Sequence, residues 1–179
     1  MSINYFKLGS VFHFNWGYAI STGRPSTTME CVKVNIEHMT ETKVVYFRRI
    51  GAYGVENRKL MDSFKQWIKS ERLFQESTIL GIALDNPQNV SSVNCRYDTC
   101  LITDRGHFKN DRIKQRVLTA GNYAVFQIAH IETAINEFYQ KMERIICEER
   151  FSTINKPIIE RYQQKLVKMG YCEILIPVE

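Results

Sequence analysis

The chain has 179 residues and a net charge of +5, with 44% hydrophobic and 24% charged residues. This length suggests one domain, or two small ones sharing a core, and the composition is that of an ordinary globular protein. No apolar run reaches the roughly 18 residues of a membrane span, and no block of lysine and arginine indicates a nucleic-acid surface. The sequence therefore predicts neither membrane insertion nor direct binding to nucleic acid.

The cysteines indicate where the protein resides. Five of them lie at scattered positions, and an odd number without framework spacing is typical of reduced thiols in a cytoplasmic protein. The first 20 residues also lack the basic start, apolar core and cleavage site of a signal peptide. Cys95 and Cys100 would fall on opposite faces of one strand, so no metal site is expected, and no motif indicates a cofactor.

The first part of the chain differs from the rest. Residues 1–30 are rich in aromatics and turn formers and show no sustained period, so we interpret them as an N-terminal extension. Phe12, Phe14 and Trp16 are expected to pack over the domain that follows. From residue 31 the pattern is regular: CVKVNIEH and KVVYFRRI predict strands, and NRKLMDSFKQWIKS predicts a helix with one apolar face. STILGIALD and NCRYDTCLIT then predict two more strands.

The second part of the chain repeats this order. GNYAVFQIA predicts a strand, IETAINEFYQKMERIIC a helix, and PIIERYQQKL and YCEILIPV two strands. Aligning VVYFRRIGAYG with YAVFQIAHIET indicates a duplication with repeats at about 31–104 and 112–179. The expected fold is α+β, with two strand–helix–strand–strand repeats, a mostly antiparallel sheet, and long helices near 56–70 and 131–148 on one face. Two helices side by side would leave a groove for a small ligand.

Glu160 raises a question of charge. Strand alternation in KPIIERYQQKL places Ile158, Glu160 and Tyr162 on one face of a strand. If that face points inward, a carboxylate is buried among apolar residues, which is costly unless it is paired, and its pKa should rise. Three answers are open: a ligand cation, an internal partner such as Arg96 or Arg48, or a role as catalytic proton acceptor.

Several stretches together resemble the GyrI-like effector-binding domain, which ends many AraC-type and multidrug-responsive transcription regulators and also occurs alone. GIALDNP, CRYDTCLI, AGNYAVFQIAH, KPIIERYQ and EILIPV fall in the family's order, and the likeness covers about residues 32–179. The resemblance implies an SHS2-like fold, in which the two repeats are related by a pseudo-twofold axis. It also implies that Glu160 is the acidic group at the base of a pocket for lipophilic, cationic ligands.

The candidate ligand-binding residues are Glu160, Tyr162, Ile158, Tyr97, Tyr53 and Trp67. Each aromatic residue among them has a plain alternative role in packing. Tyr162 and Tyr97 suit strand centres, Tyr53 stands where a helix begins, and Trp67 lies on the apolar helix face.

The resemblance leaves three functions open. The first is a stand-alone module that captures a small lipophilic or cationic molecule, and either sequesters it or reports it to a protein partner that carries a DNA-binding domain. Residues 1–30 are too few for the paired helix-turn-helix module of the AraC type. The second is a small-molecule hydrolase, in which Glu160 activates water and Tyr97 or Tyr162 donates a hydrogen bond. The third is a protein-interaction inhibitor of the gyrase-inhibitor type.

Overall fold

The computed structural model describes residues 33–179. The elements in chain order are β1 (Lys33–Met39), β2 (Thr42–Ile50), α1 (Val55–Ser70), β3 (Thr78–Ala83), a 3-10 turn (Ser92–Asn94), β4 (Arg96–Ile102), β5 (Lys114–Leu118), β6 (Gly121–Ala129), α2 (Glu132–Glu148), β7 (Ile159–Gln163), α3 (Gln164–Lys168) and β8 (Tyr171–Val178). The predicted extension, with Phe12, Phe14 and Trp16, lies outside the described residues. None of the helices in residues 33–179 has the length and apolar character needed to cross a bilayer.

The eight strands form one sheet in the order β1-β6-β8-β7-β3-β4-β2-β5. Every ladder between these strands is antiparallel. The predicted α+β class with a mostly antiparallel sheet is therefore confirmed. The ladder between β7 and β3 lies near the centre and joins the strands of the second half of the chain to those of the first.

Both long helices lie where their periodicity predicts them, to within about one residue, and they cover the same face of the sheet. Helix α1 packs on β2 and β4, and α2 packs on β6. Buried residues of both helices join one apolar cluster with strand residues such as Ile79 and Phe126. Leu80 and Val125, which adjoin Ile79 and Phe126 in the sequence, belong to a second cluster, formed by strand residues on the other face. Viewed from the helix side, the centre of the sheet thus lies between α1 and α2.

The structure differs from the sequence prediction in one additional strand and in the end of another. The pattern does not predict β5, because this edge strand is short and polar and lacks an apolar face. The strand predicted over 157–166 ends at Gln163, because the next five residues form the short helix α3. Those residues, QKLVK, are mostly straight-chain helix formers rather than the β-branched residues that favour strands.

Candidate functional site

Glu160 lies on β7, on the face of the sheet that the two long helices cover. It is only 2% exposed. Tyr162 shares this face, as strand alternation predicts. Arg161 points to the opposite face, where it donates hydrogen bonds to Glu37 and Glu173 at 2.7 Å. The predicted inward direction of Glu160 is therefore confirmed.

Two tyrosine hydroxyls hold the Glu160 carboxylate. Tyr139 of α2 donates to Oε1 at 2.9 Å, and Tyr162 of β7 donates to Oε2 at 2.8 Å. Across the described part of the chain, no lysine, arginine or histidine side chain forms an ion pair with Glu160. The carboxylate is thus hydrogen-bonded, but its charge is not neutralised by these residues.

The internal partners suggested for Glu160, Arg48 and Arg96, are wrong. Arg48 donates to both carboxylate oxygens of Asp98, at 2.7 and 2.9 Å. Arg96 donates to Asp85, at 2.9 and 2.7 Å. For Arg48 the cause is the register of the sheet, which places it directly opposite Asp98 on the β2–β4 ladder.

The pKa values of this group follow from its burial. Desolvation raises the pKa of Glu160 from 4.5 to about 7, and the hydrogen bonds from Tyr162 and Tyr139 oppose the rise by stabilising the carboxylate. Burial raises the pKa of both tyrosines well above 10, and the adjacent Glu160 charge raises it further. At neutral pH the tyrosines therefore remain protonated donors, whereas the carboxyl group titrates. Such a carboxyl group can pair with a cation or accept a proton.

Tyr97 approaches Glu160 above Gly81. Gly81 lies opposite Glu160 on the β3–β7 ladder. A Cβ atom on Gly81 would lie 2.5 Å from the Tyr97 hydroxyl oxygen and 3.1 Å from Glu160 Oε2. Tyr97 is 1% exposed, and burial raises the pKa of its hydroxyl well above 10. Because Gly81 has no Cβ, the Tyr97 hydroxyl and the Glu160 carboxylate can lie close together above it.

Tyr53 extends the group of tyrosines to the start of α1. Its ring packs edge-on against Tyr97, with the ring centroids 6.3 Å apart. Its hydroxyl lies 2.9 Å from the carbonyl oxygen of Asp85 and 3.0 Å from that of Arg96, and it accepts a hydrogen bond from the Asp85 N–H at 3.1 Å. Tyr53 thus fixes the beginning of the helix to the β3–β4 connection and touches the site through Tyr97.

His130 packs beside Tyr162, and the charge of Lys65 acts on His130. The His130 ring packs against the Tyr162 ring, with centroids 5.3 Å apart. Burial and the positive charge of Lys65 together lower the pKa of His130 to about 4. Burial also lowers the pKa of Lys65 to about 8. At neutral pH the imidazole is therefore uncharged. Neither His130 nor Lys65 is among the residues predicted for the site.

Trp67 belongs to a different aromatic group. Its ring centroid lies 5.6 Å from that of Phe47, 5.3 Å from Phe64 and 5.1 Å from Phe108. Phe47 is on β2, and β3 and β4 separate that strand from β7. These contacts are those of a core residue over the first half of the sheet. A ligand-binding role for Trp67 stays a prediction.

The structure thus brings four of the predicted residues into one group: Glu160, Tyr162, Tyr97 and Tyr53. Ile158 is 8% exposed and belongs to the same apolar cluster as the tyrosines. Tyr139 and Gly81 are not among the residues predicted for the site, although both carry a signal in the sequence. A tyrosine within an apolar helix stripe needs a partner for its hydroxyl, and a glycine inside a strand marks a close approach.

Known proteins resemble this chain in sequence. The family model of the GyrI-like small molecule binding domain matches residues 33–179. The chain is also 34% identical over 149 residues to a Bacillus subtilis (strain 168) protein named "SPbeta prophage-derived putative transcriptional regulator YosT". That alignment covers 83% of this chain and 100% of the relative.

Two solved structures share the fold. The structure of SAV2435 bound to tetraphenylphosphonium has a TM-score of 0.58 at 16% identity, over 83% of this chain and 94% of that one. The EcmrR C-terminal domain has a TM-score of 0.61 at 14% identity, over 82% and 97%. These likenesses agree with the family model, which spans every residue that the structure describes. This chain belongs to the family of GyrI-like small molecule binding domains.

Proposed function

We propose that this domain binds lipophilic small molecules with a preference for cations, at the centre of the sheet between α1 and α2, and that Glu160 recognises the charge. One observation carries the proposal: a buried carboxylate held by Tyr139 and Tyr162 without a basic partner among the described residues. A ligand cation would supply the opposite charge and favour the ionised form.

The surroundings of Glu160 support a lipophilic ligand. Three tyrosines, Tyr97, Tyr139 and Tyr162, surround it, and the adjoining strand and helix residues are apolar. Aromatic faces attract a cation by roughly 0.5–2 kcal/mol each. The fold relative SAV2435 was solved with tetraphenylphosphonium, which is itself a lipophilic cation.

The decisive experiment separates charge from shape. We would titrate the wild type and Glu160→Gln calorimetrically with tetraphenylphosphonium and with the uncharged triphenylphosphine oxide. Glu76→Gln, at an exposed position, is the matched control. Glu160→Gln should weaken binding of the cation by about 1–3 kcal/mol, the scale of a hydrogen bond to a charged group, and leave binding of the oxide nearly unchanged. Equal losses for both ligands would show that Glu160 shapes the pocket without recognising charge.

The pH dependence of binding tests the same assignment. The pKa of Glu160 is raised to about 7, so the free site holds more protonated carboxyl group as pH falls below that value. Cation affinity should therefore fall as pH drops below 7, in total by about as much as in Glu160→Gln, and binding there should release a proton. Titrations in two buffers of different ionisation enthalpy measure that proton. A pH-independent affinity in the wild type would contradict the proposal.

The same carboxyl group favours hydrolysis as a second candidate function. A pKa of about 7 suits a general base at neutral pH, and the Tyr97 hydroxyl lies next to Glu160 above Gly81. Turnover of an activated ester, lost in both Glu160→Gln and Tyr97→Phe, would support this candidate. Binding without turnover leaves the protein as a binder.

The names of two relatives suggest a role in transcription regulation. YosT is named as a transcriptional regulator, and the EcmrR domain is the C-terminal part of its chain. We propose that this domain, in the cytoplasm, reports its ligand to a protein partner that carries the DNA-binding module. Ligand-dependent co-purification with such a partner would test this role.

We also propose that the two halves are equivalent units related by a pseudo-twofold axis. Each half runs strand, strand, helix, strand, strand, from β1 to β4 and from β5 to β8, with α3 as an insertion. The first strand of each half pairs with the other half, β1 with β6 and β5 with β2. This reciprocal exchange supports the symmetry, and superposing the halves would test it.

A further inference from the structure

We propose a second ligand site on the opposite face of the sheet, for a small amphipathic anion. A cavity of about 240 Å³ lies there. Its apolar wall includes Ile82, Leu84, Tyr123 and Ile159, and its basic side chains are Arg116 and Lys156. Pockets for drug-sized ligands typically measure roughly 300–1,000 Å³, so this volume suits an apolar body of one or two rings.

The cavity lies directly behind the Glu160 site. Ile82 and Ile159 face each other on the β3–β7 ladder, next to the pair formed by Gly81 and Glu160. Successive residues of a strand point to opposite faces, so the two pairs serve opposite sides of the same two strands. Glu160 does not line the cavity. A ligand bound there would therefore meet a separate set of side chains.

The charged side chains that line the cavity are both positive. Arg116 Nη2 lies 2.8 Å from Asp98 Oδ2, and Arg48 binds the same carboxylate. Two guanidinium groups thus share one buried negative charge, which leaves one positive charge in excess. Lys156 adds another, and no aspartate or glutamate lines the cavity.

Both basic side chains retain donors for a ligand. Lys156 Nζ donates to the Ala120 carbonyl oxygen at 3.0 Å, which uses one of the three N–H groups of an ammonium. The Arg116 side chain is 25% exposed and lines the cavity, so it can meet a ligand there. A carboxylate or sulfonate on an aromatic body would place acceptors beside these donors and its rings against the apolar wall.

The test uses 2-naphthoate and its uncharged analogue 2-naphthylmethanol, titrated calorimetrically into the full chain at pH 7.5. Lys156→Gln is the main variant, because its side chain is only partly buried and it lies outside the helices and strands. Arg116→Gln is the second variant, and Lys168→Gln, at an exposed position of α3, is the control. Melting temperatures establish that each variant is folded.

Naphthoate should bind more tightly than the alcohol. Lys156→Gln should weaken naphthoate binding by about tenfold and leave the alcohol unchanged, because a hydrogen bond between charged groups is lost. Lys168→Gln and Glu160→Gln should retain naphthoate binding. The proposal is overturned if naphthoate does not bind, binds no better than the alcohol, or is insensitive to Lys156→Gln in the folded protein. Loss of naphthoate binding in Glu160→Gln would also overturn it, since the anion would then occupy the other face.

Discussion

The burial of Glu160 predicts how the stability of the ligand-free protein changes with pH. The pKa of this group is about 7 in the folded protein, whereas an exposed glutamate of the unfolded chain has a pKa of 4.5. Between these two values the folded state holds a proton that the unfolded state has released. The contribution of Glu160 to stability should therefore fall as pH rises from 4.5 to about 7, and its loss should be complete above that range.

The size of this effect follows from the same two values. A difference between 4.5 and about 7 corresponds to about 3 kcal/mol of unfolding free energy. Glu160→Gln keeps the shape and has no titrating proton, and its amide oxygen can still accept from Tyr139 or Tyr162. The variant should match the wild type near pH 4.5 and exceed its stability by about 3 kcal/mol at pH 8, because a buried charge without a neutralising partner has been removed.

Urea unfolding followed by tryptophan fluorescence, between pH 4.5 and 8, measures this difference. All other titrating groups are common to the two proteins, so their contributions largely cancel in the comparison. Glu76→Gln, at an exposed position, should show no pH-dependent difference from the wild type. A difference between wild type and Glu160→Gln that does not change with pH would refute the reasoning. Glu160 would then be either exposed in solution or neutralised by a partner.

Two further substitutions test the geometry around the carboxylate. Gly81→Ala places a Cβ 2.5 Å from the Tyr97 hydroxyl oxygen, so it should destabilise the protein by about 1–3 kcal/mol and weaken cation binding. Gly106→Ala, where a Cβ meets nothing within 4 Å, should change neither the melting temperature nor the calorimetric affinity. Tyr139→Phe removes a donor that stabilises the charged form of Glu160, so the midpoint of the pH profile of cation binding should move upward from about 7. An unchanged or lowered midpoint would contradict that hydrogen bond.

The local periodicity of the sequence was enough to predict the main elements. A helical stripe repeats every three or four residues and a strand face every two, so both long helices and most strands could be read from single stretches of chain. The same rule placed Glu160 and Tyr162 on one face, since both belong to one strand. It could not predict β5, because an exposed edge strand has no apolar face to repeat.

Only the tertiary structure decided what the inward carboxylate meets. Tyr139 contacts Glu160 from helix α2, 21 positions away in the sequence. Gly81 lies opposite Glu160 on strand β3, 79 positions away. Those meetings depend on β7 pairing with β3 and on α2 lying above the sheet, which no single stretch of sequence encodes. The pairing of Arg48 with Asp98, rather than with Glu160, has the same origin. Strand order and register bring distant residues together through hydrogen bonding and packing of the whole sheet, whereas periodicity specifies only the face on which each residue lies.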